Sequence, residues 1–417
     1  MNALTMNKTD VLVVGGGAAG MMAAITAAEQ GASVRLVERM ERLGRKINIT
    51  GKGRCNVTNN APAEVLMKHV AHNPRFLFSA FSCFDGQDTM AFFEALGVPL
   101  KTERGNRVFP VSDCAFDISA ALRRRLQELR VEVVRDRITG LSREEGRLCG
   151  AVGEKKTYSA DRVIVATGGV SYPGTGSSGD GYALARQAGH TVSEISGSLV
   201  PLVSSDTACR EMQGLALKNV AIKLLDAGGK SRYEDFGEML FTHFGLSGPI
   251  ILSASAHMEG NASSYRLQID LKPALEEEKL EQRLLRDFEA QPNKAFSNVV
   301  AGLVHKTMVP VILQRCRIPG ELQVNSVTRE QRRRLLWELK HFTIEITGVR
   351  PVEEAIVTRG GVSVKEINPH TMESKLQPGL YFAGEVLDVD AYTGGFNLQI
   401  AWATGHAAGE SAGRKEQ

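Results

Sequence analysis

The sequence contains no apolar run that approaches the roughly 20 residues needed to cross a bilayer. Its first ten residues, "MNALTMNKTD", are polar and do not resemble a signal peptide. Its six cysteines are scattered, with no CxxC pair and no metal-ligand spacing. These absences predict a reduced, cytoplasmic protein with no membrane partner and no bound metal.

A strong excess of charge is also absent. The net charge is +3 over 417 residues, so composition alone does not indicate a nucleic-acid or anionic-membrane partner. Two basic triplets, Arg123–Arg125 and Arg332–Arg334, lie on predicted helices, where successive residues point in different directions. A solvated face is the simpler interpretation of both triplets, and a nucleic-acid surface remains open. The length suits two or three domains.

A βαβ unit is predicted at residues 10–38. "DVLVV" has the pattern of a buried parallel strand, "GGGAAG" of a turn, "MMAAITAAEQG" of a helix and "SVRLVE" of a second strand. Further on, the helix "AFDISAALRRRLQELR" leads into the strand "VEVVRD". A β-meander then returns to a buried strand at Val163–Ala166. This order predicts a doubly wound α/β domain.

The pattern changes near Ser196, where short strands separated by Gly, Ser and Asp turns indicate a barrel or sandwich. A charged helical segment follows, and the C-terminal part returns to strand, glycine turn and helix. We therefore predict a Rossmann-like domain at 1–195 and 351–417. A β-domain is predicted at 196–274 and 341–350, with a helical insert at 275–340.

Gly15, Gly17 and Gly20 form a GxGxxG turn between the first strand and helix, and Glu38 closes the second strand. Such a turn lets backbone approach a pyrophosphate, and the helix N-terminus attracts its charge. Glu38 can accept both ribose hydroxyls of an adenosine. A lone GxGxxG is also compatible with an empty glycine turn, but here strand, helix and acid all stand where dinucleotide binding requires them.

Later segments favour FAD over NAD. The chain returns with "VIVATGG" at Val163–Gly169 and "GLYFAGE" at Gly379–Glu385, as expected for an extended cofactor that runs across the sheet. Gly394-Gly395-Phe396-Asn397 opens the last helix, whose N-terminus would stabilise negative charge on a reduced flavin. "GTGSSG" at Gly174–Gly179 does not follow a buried strand, so it does not predict a second site. NAD(P)H would reach the open flavin face as a transient reductant.

The polar loop "GRKINITGKGRCNVTN", from Gly44 onward, follows Glu38 closely. It is therefore expected to run from the adenosine end of FAD towards the flavin. Arg45 and Lys46 stand early enough to meet the phosphates, whereas Gly51 and Gly53 would let bare backbone lie along the ribityl chain and ring. Asp388 and Asp390, spaced i, i+2 after the "GE" segment, are expected to be solvated or to bind the ribityl chain.

Several segments together resemble one family. "VVGGGAAGMMAA", "GRKINITGKGRCNVTN", "ATGGVSYPGTGSSGDGYALARQAGH", "MLFTHFGLSGP", "TRGGV" and "YFAGEVLDVDAYTGGFNLQIAWATG" are similar to the BaiN/RdsA (YhiN-like) family of FAD-dependent oxidoreductases. The resemblance spans essentially the whole chain. It implies an FAD domain built from both chain ends, an inserted β-barrel and a small helical domain. It also implies reduction either of a uridine in large-subunit ribosomal RNA or of a steroid enone.

Motifs and resemblance together give the residues predicted to bind FAD. They are Gly15, Gly17, Ala18, Ala19, Gly20, Glu38, Arg39, Arg45, Lys46, Thr50, Gly51, Gly53, Arg54, Asn56, Val134, Ala166, Thr167, Gly168, Gly384, Glu385, Gly395, Phe396, Asn397 and Leu398.

Both implied activities add hydride from flavin N5 to a carbon–carbon double bond conjugated to a carbonyl, and an acid protonates the neighbouring carbon. Cys55 and His243 are the candidate acids. The usual thiol pKa near 8.5 suits donation, and Arg54 and Lys52 would tune it. Against these roles, cysteine often only packs, and a histidine often only pairs with a carbonyl. Arg359 would hold the substrate carbonyl or form a surface salt bridge.

The favoured function is therefore an NAD(P)H-linked FAD reductase acting on a uridine of large-subunit ribosomal RNA or its precursor. A reductase of small-molecule enones is the alternative. A flavin-binding redox sensor without turnover is the alternative from another class. The sequence does not indicate an oligomeric state.

Overall fold

The computed structural model describes residues 8–414. The expectation of a chain without a signal peptide depends mostly on residues 1–7, which lie outside the described residues. Within the described range, no helix has both the length and the apolar character needed to cross a membrane.

The strands are short in most of the chain and longest in its middle. In chain order they are β1 Thr9–Val14, β2 Val34–Glu38, β3 Thr58–Asn59, β4 Val70–His72, β5 Leu100–Glu103, β6 Arg107–Pro110, β7 Glu132–Arg135, β8 Ile138–Glu144, β9 Arg147–Gly153, β10 Thr157–Val165, β11 Ser196–Ser198, β12 Leu202–Val203, β13 Ala216–Leu225, β14 Ser231–Thr242, β15 Gly245–Ser247, β16 Arg266–Asp270, β17 Phe342–Glu345, β18 Gly348–Val349, β19 Val357–Arg359, β20 Leu380–Phe382 and β21 Asp390–Ala391.

The α-helices vary from one turn to five. In chain order they are α1 Ala18–Glu29, α2 Arg45–Ile49, α3 Ala63–Lys68, α4 Phe78–Cys83, α5 Gly86–Ala95, α6 Ala115–Glu128, α7 Asp180–Gln187, α8 Thr207–Glu211, α9 Pro249–Ser255, α10 Glu277–Ala290, α11 Phe296–Ala301, α12 Val309–Cys316, α13 Arg329–Lys340 and α14 Phe396–Gly413.

The described chain forms two compact units. The first contains the residues up to Ser198 together with those from Val352 onward, and the second contains Leu199–Pro351. The helices α10 to α13 share one hydrophobic core with the strands of the second unit. The helical segment and the β-sheet therefore form one unit around a common core.

The sheet of the first unit has the parallel order β7-β2-β1-β10-β20, with β9 and β8 added in antiparallel orientation. Its central strand β1 is apolar and fully buried at Val11, Leu12 and Val13. Parallel strands buried on both faces need such continuous apolar runs. Because their carboxyl ends meet at one edge, the loops after β1, β2, β10 and β20 converge there. The predicted Rossmann-like α/β fold is confirmed.

The last helix, α14, packs along α1 through small residues. A Cβ placed on Gly405 would stand 2.5 Å from the backbone oxygen of Ala19, and one on Gly409 would stand 2.4 Å from that of Ala23. Glycine alone allows the two helices this close approach. The packing brings the first half of α14 next to the glycine turn, whereas Gly413 near its end contacts Ala27 near the end of α1.

The second unit contains an antiparallel sheet of order β17-β16-β13-β14-β15-β12-β18. The end strands β17 and β18 are separated in sequence only by Ile346 and Thr347. Three residue steps span at most about 11 Å, so the sheet must curl until its edges approach each other. The Ile346 amide donates to the Tyr265 oxygen next to β16 at 3.2 Å, and the Thr347 amide donates to the Val203 oxygen of β12 at 2.8 Å. The continuous segment of β17 and β18 therefore pairs with β16 and with β12 and closes the sheet into a barrel.

Candidate functional site

The turn between β1 and α1 leaves backbone exposed to open space. Gly15 has φ +104°, and a Cβ there would lie 2.5 Å from the Ala166 oxygen; a Cβ on Gly20 would lie 1.8 Å from the Gly15 oxygen. A Cβ on Gly17, in contrast, would meet nothing within 4 Å. Among residues 8–414, no side chain caps the N-terminus of α1. Its first amide groups therefore remain available to an anion.

Glu38 ends β2 with both carboxylate oxygens anchored to backbone. One oxygen accepts from the Gly16 amide and the other from the Met40 amide, each at 2.7 Å. Each oxygen keeps a further lone pair for a hydroxyl donor. The acid is thus fixed beside the glycine turn, where the sequence expects it to bind ribose.

An open cavity of the first unit begins at this turn, and it holds about 1070 Å³ of empty space including the solvent at its mouth. Fifteen of the predicted cofactor residues line it. They come from the first βαβ unit, the loop before Cys55, the end of β10 and the start of α14. These residues are Gly15, Gly17, Ala18, Ala19, Glu38, Arg45, Lys46, Thr50, Ala166, Thr167, Gly168, Gly384, Glu385, Asn397 and Leu398.

The remaining predicted cofactor residues do not line this cavity. Asn56, with its amide placed to satisfy both of its polar atoms, accepts from the Gly395 amide at 2.9 Å, and Phe396 stacks on His69. Arg39 pairs with Asp180 at 3.1 Å beside a smaller adjoining pocket. The other predicted residues outside the lining are Gly20, Gly51, Gly53, Arg54 and Val134.

Thirteen further residues line the cavity without having been predicted. Gly176 and its neighbours come from the "GTGSSG" segment, whose mismatch to a Rossmann turn concealed their position. Ile356 and Val357 come from an apolar segment with no motif. The full set is Gly16, Arg42, Gly44, Ile47, Thr175, Gly176, Ser177, Ile356, Val357, Ala383, Val389, Ile400 and Ala401.

Lys46 makes a charged network on the cavity wall instead of remaining free for a phosphate. Its Nζ donates to Glu385 and to Ser171, both at 2.7 Å, and the Ser171 hydroxyl donates to the other Glu385 oxygen at 2.9 Å. The Thr358 amide also donates to Glu385, at 2.8 Å. Burial tends to raise the pKa of Glu385, but the Lys46 charge and these hydrogen bonds hold that pKa below its usual range.

The structure does not support Cys55 as a proton donor. Its side chain is completely buried in the apolar core and does not line the cavity. Burial raises the pKa of the thiol to about 12, which outweighs a hydrogen bond with Thr50 that acts in the opposite direction. The expected tuning by Arg54 is also corrected: its guanidinium binds Glu103 at 2.5 Å and Asp113 at 2.6 Å and lies over the Phe109 ring.

The two other catalytic candidates lie on different units. Arg359 ends β19, where it pairs in register with Ser196, in the same strand as the cavity-lining Val357. His243 is exposed at the turn between β14 and β15 of the second unit, edge-on to Phe244. The roles of both residues remain predictions.

A histidine–carboxylate pair that the sequence did not indicate lies next to the cavity lining. Asp390 follows Val389, which lines the cavity, and is 1% exposed. Its carboxylate bonds His72 Nδ1 at 2.5 Å and accepts from the Ser198 hydroxyl at 2.6 Å. Of the two roles expected for Asp390, exposure to solvent is therefore wrong, and binding of the ribityl chain remains a prediction. His72 is partly exposed, and its Nε2 has no partner among the described residues.

The residues present fit FAD. Open space faces Gly17 at the uncapped start of α1, and the fixed Glu38 carboxylate stands beside it. Ala166, Thr167 and Gly168, directly after β10, form the cavity wall beside the glycine turn. The lining also includes Asn397 and Leu398, which belong to the first turn of α14.

The sequence matches the family model described as the HI0933-like protein Rossmann domain over residues 9–411. It is 33% identical to 3-dehydro-bile acid delta(4,6)-reductase of Clostridium scindens, covering 97% of this chain and 98% of the relative. It is 31% identical to ribosomal RNA dihydrouridine synthase of Escherichia coli, with the same coverage of both chains. The chain therefore belongs to the HI0933-like family.

A solved structure supports the fold. The 3-ketosteroid-delta4-(5alpha)-dehydrogenase of Rhodococcus jostii, in complex with 4-androstene-3,17-dione, superposes with a TM-score of 0.55 at 16% identity, covering 99% of both chains. The family membership confirms the resemblance seen in the sequence, because the full-length relatives carry the two activities that it implied. The chain is accordingly an FAD-dependent oxidoreductase, and the alternative of a sensor without turnover is not favoured.

Proposed function

We propose that this protein is a cytoplasmic reductase that saturates a carbon–carbon double bond conjugated to a carbonyl, with NAD(P)H as reductant. The observation that carries the proposal is one cavity in which Glu38, the glycine turn and the start of α14 meet, in a chain whose full-length relatives are named as reductase and dihydrouridine synthase. FAD, when bound, supplies the hydride.

The chain's own residues bind and orient the cofactor. Glu38 accepts the ribose hydroxyls, and the amide groups at the start of α1 bind the pyrophosphate. Arg42 and Arg45 add positive charge at the same part of the lining. The first turn of α14, opened by Gly395 and pinned by Asn397 through its bonds to Ala391, stabilises negative charge at the flavin end.

His72 is the proton donor in this proposal. Asp390 accepts the Nδ1 proton and fixes the ring, so His72 donates from Nε2 in its imidazolium form, whose positive charge the buried carboxylate faces. Ser198 holds the second Asp390 oxygen, so the carboxylate itself cannot rotate freely. Arg359, on the neighbouring strand β19, would donate to the substrate carbonyl while negative charge develops there.

The favoured substrate is a uridine of large-subunit ribosomal RNA, whose C5–C6 double bond is conjugated to a carbonyl. The Escherichia coli relative named for dihydrouridine synthesis supports this choice. A small-molecule enone is the second candidate. It is favoured by the Clostridium scindens relative and by Ile356, Val357 and Val389, which give the cavity an apolar wall.

Deletion of the gene followed by mass spectrometry of ribosomal RNA tests the favoured substrate. The proposal predicts that dihydrouridine disappears from the large subunit and returns with the wild-type gene, but not with His72→Gln. Unchanged dihydrouridine in the deletion strain would eliminate the RNA substrate. Reoxidation of the reduced protein by a 3-keto-4-ene steroid would then establish the enone substrate in its place.

A further inference from the structure

The helix α13 exposes three residues on one face, and none of the three contributes to the hydrophobic core. Arg329, Arg333 and Trp337 are spaced four residues apart, which places them on the same side of the helix, and all three are exposed. The opposite side carries Leu335 and Leu339, both fully buried. We call Arg329, Arg333 and Trp337 the α13 stripe.

The other cations of this helix are neutralised. Arg332 pairs with Glu281 at 3.7 Å, Arg334 with Glu330 at 3.2 Å and Lys340 with Asp270 at 2.6 Å. In the part of the chain that the structure describes, no carboxylate pairs with Arg329 or Arg333. Arg329 is also the first residue of α13, where the helix dipole disfavours a cation. Stability of the fold alone gives no reason for these two charges.

Trp337 is unusual for the same reason. It is 58% exposed, although burial of a tryptophan side chain is strongly favourable. Its ring packs against His341 with centroids 4.1 Å apart, and His341 is itself held by Glu277 at 2.9 Å. His341 therefore holds the exposed Trp337 ring in place from one side, which would orient the ring for stacking with a ligand.

We propose that the α13 stripe binds a single-stranded segment of RNA. Two unpaired guanidinium groups match the charge of successive phosphates, and an exposed aromatic ring between helical turns accepts the face of an unpaired base. Arginine and an aromatic ring together fit this ligand better than an acidic peptide, which offers charge but no flat ring. This inference builds on the proposed ribosomal RNA substrate and assigns where that substrate docks outside the flavin cavity.

The two tryptophans of the chain give a direct test. Trp402 is fully buried, with its indole N–H bound to the Val57 oxygen at 2.9 Å, so quenching by an added oligonucleotide reports Trp337. Titration of the purified holoprotein with a uridine-rich 12-nucleotide RNA is expected to quench this fluorescence. Trp337→Ala is expected to weaken binding, measured by filter retention, about 5- to 100-fold through the lost base stacking.

The charges are tested by the salt dependence of the same binding. Arg329→Ala/Arg333→Ala should make the slope of log K against log salt shallower by about 1.4, because each phosphate contact with a single strand contributes about 0.7. Arg329→Lys/Arg333→Lys should retain most of the slope. Arg130→Ala/Arg147→Ala removes the same charge from exposed sites of the first unit and should leave the slope unchanged.

Equal affinity and slope in the stripe and control variants would overturn the inference, as would an absence of quenching by the RNA. Equal quenching by polyglutamate would also overturn it and would indicate an acidic protein partner. These readouts do not depend on turnover. Weakened RNA binding together with unchanged dihydrouridine in the gene deletion would therefore support the stripe while refuting the proposed substrate.

Discussion

Cys55 lies in the polar loop, where the sequence predicts a proton donor. The backbone around it nevertheless directs its side chain towards the hydrophobic core. The residue has φ +58°, and the same turn sends Arg54 to the carboxylates of Glu103 and Asp113. The hydrophobic pattern of the sequence does not reveal this orientation, because the residues on either side of Cys55 are polar. Cysteine in this position contributes packing.

We therefore expect Cys55→Ala to retain catalysis. Flavin reduction by NAD(P)H and product formation should both stay within about threefold of wild type, whereas the free energy of unfolding should fall by about 1 kcal/mol because a small cavity is left. Stopped-flow absorbance and urea unfolding measure the two effects. Loss of product formation with flavin reduction intact would restore Cys55 as the acid.

His72 and Asp390 are expected to show the opposite behaviour. His72→Gln and Asp390→Asn should lower product formation about 100-fold, the range typical of a lost general acid, while NAD(P)H still reduces the flavin. Single-turnover oxidation of the reduced enzyme by substrate measures the step. His370→Gln, at an exposed histidine bonded to Ser79, is the matched control. Normal turnover of both dyad variants would exclude this pair and leave His243 as the candidate.

The Lys46–Glu385 pair predicts a pH-dependent contribution to stability. The folded-state pKa of Glu385 is lowered, so the pair stabilises the fold above the usual glutamate pKa of about 4.3 and loses this effect as the pH falls through the folded-state value. Lys46→Met should cost about 1–3 kcal/mol at pH 7 and progressively less below pH 4. Urea unfolding at several pH values measures the difference.

The control for this variant is Lys101→Met, which removes a lysine paired with Asp113 at 2.8 Å in a more exposed setting. Its cost should remain below about 1 kcal/mol. A Lys46→Met cost that is the same at pH 3 and pH 7 would mean that the Glu385 charge is not what Lys46 stabilises.

Regular elements with strong local signals were predictable from sequence. The run "DVLVV", the glycine turn and the alanine-rich helix specify the βαβ unit by pattern, and the cavity begins where that unit places it. The dyad could not be found in this way, because His72 and Asp390 are 318 positions apart and meet through the short strands β4 and β21. Their contact follows from tertiary packing, and strands of two or three residues are too short to show a periodic sequence pattern.

The crossing of α1 and α14 gives a prediction for these elements. Gly409→Ala puts a methyl group 2.4 Å from the Ala23 oxygen, so the helices must move apart. We expect a loss of about 1–3 kcal/mol in the free energy of unfolding. Gly174→Ala, where a Cβ meets nothing within 4 Å, should change stability by less than about 0.5 kcal/mol. Equal effects of the two substitutions would contradict the close packing.

For the whole molecule, the sequence indicated correctly that both chain ends build the dinucleotide domain, because strand-turn-helix signals occur at each end. Substrate choice is different in kind. The cavity of the first unit has both a charged network at Lys46 and an apolar wall at Ile356 and Val357, which suit different ligands. Both candidate substrates would react by the same chemistry at the cofactor site, so that chemistry does not distinguish them. The α13 stripe is relevant only to the RNA substrate.

The most direct test of the central claim is anaerobic absorbance spectroscopy of the purified protein. We predict a bound flavin that NADPH or NADH bleaches, and whose absorbance returns when large-subunit ribosomal RNA lacking dihydrouridine is added, with one dihydrouridine formed per flavin reoxidised. A flavin that neither nicotinamide bleaches, or that neither this RNA nor a steroid enone reoxidises, would contradict the account.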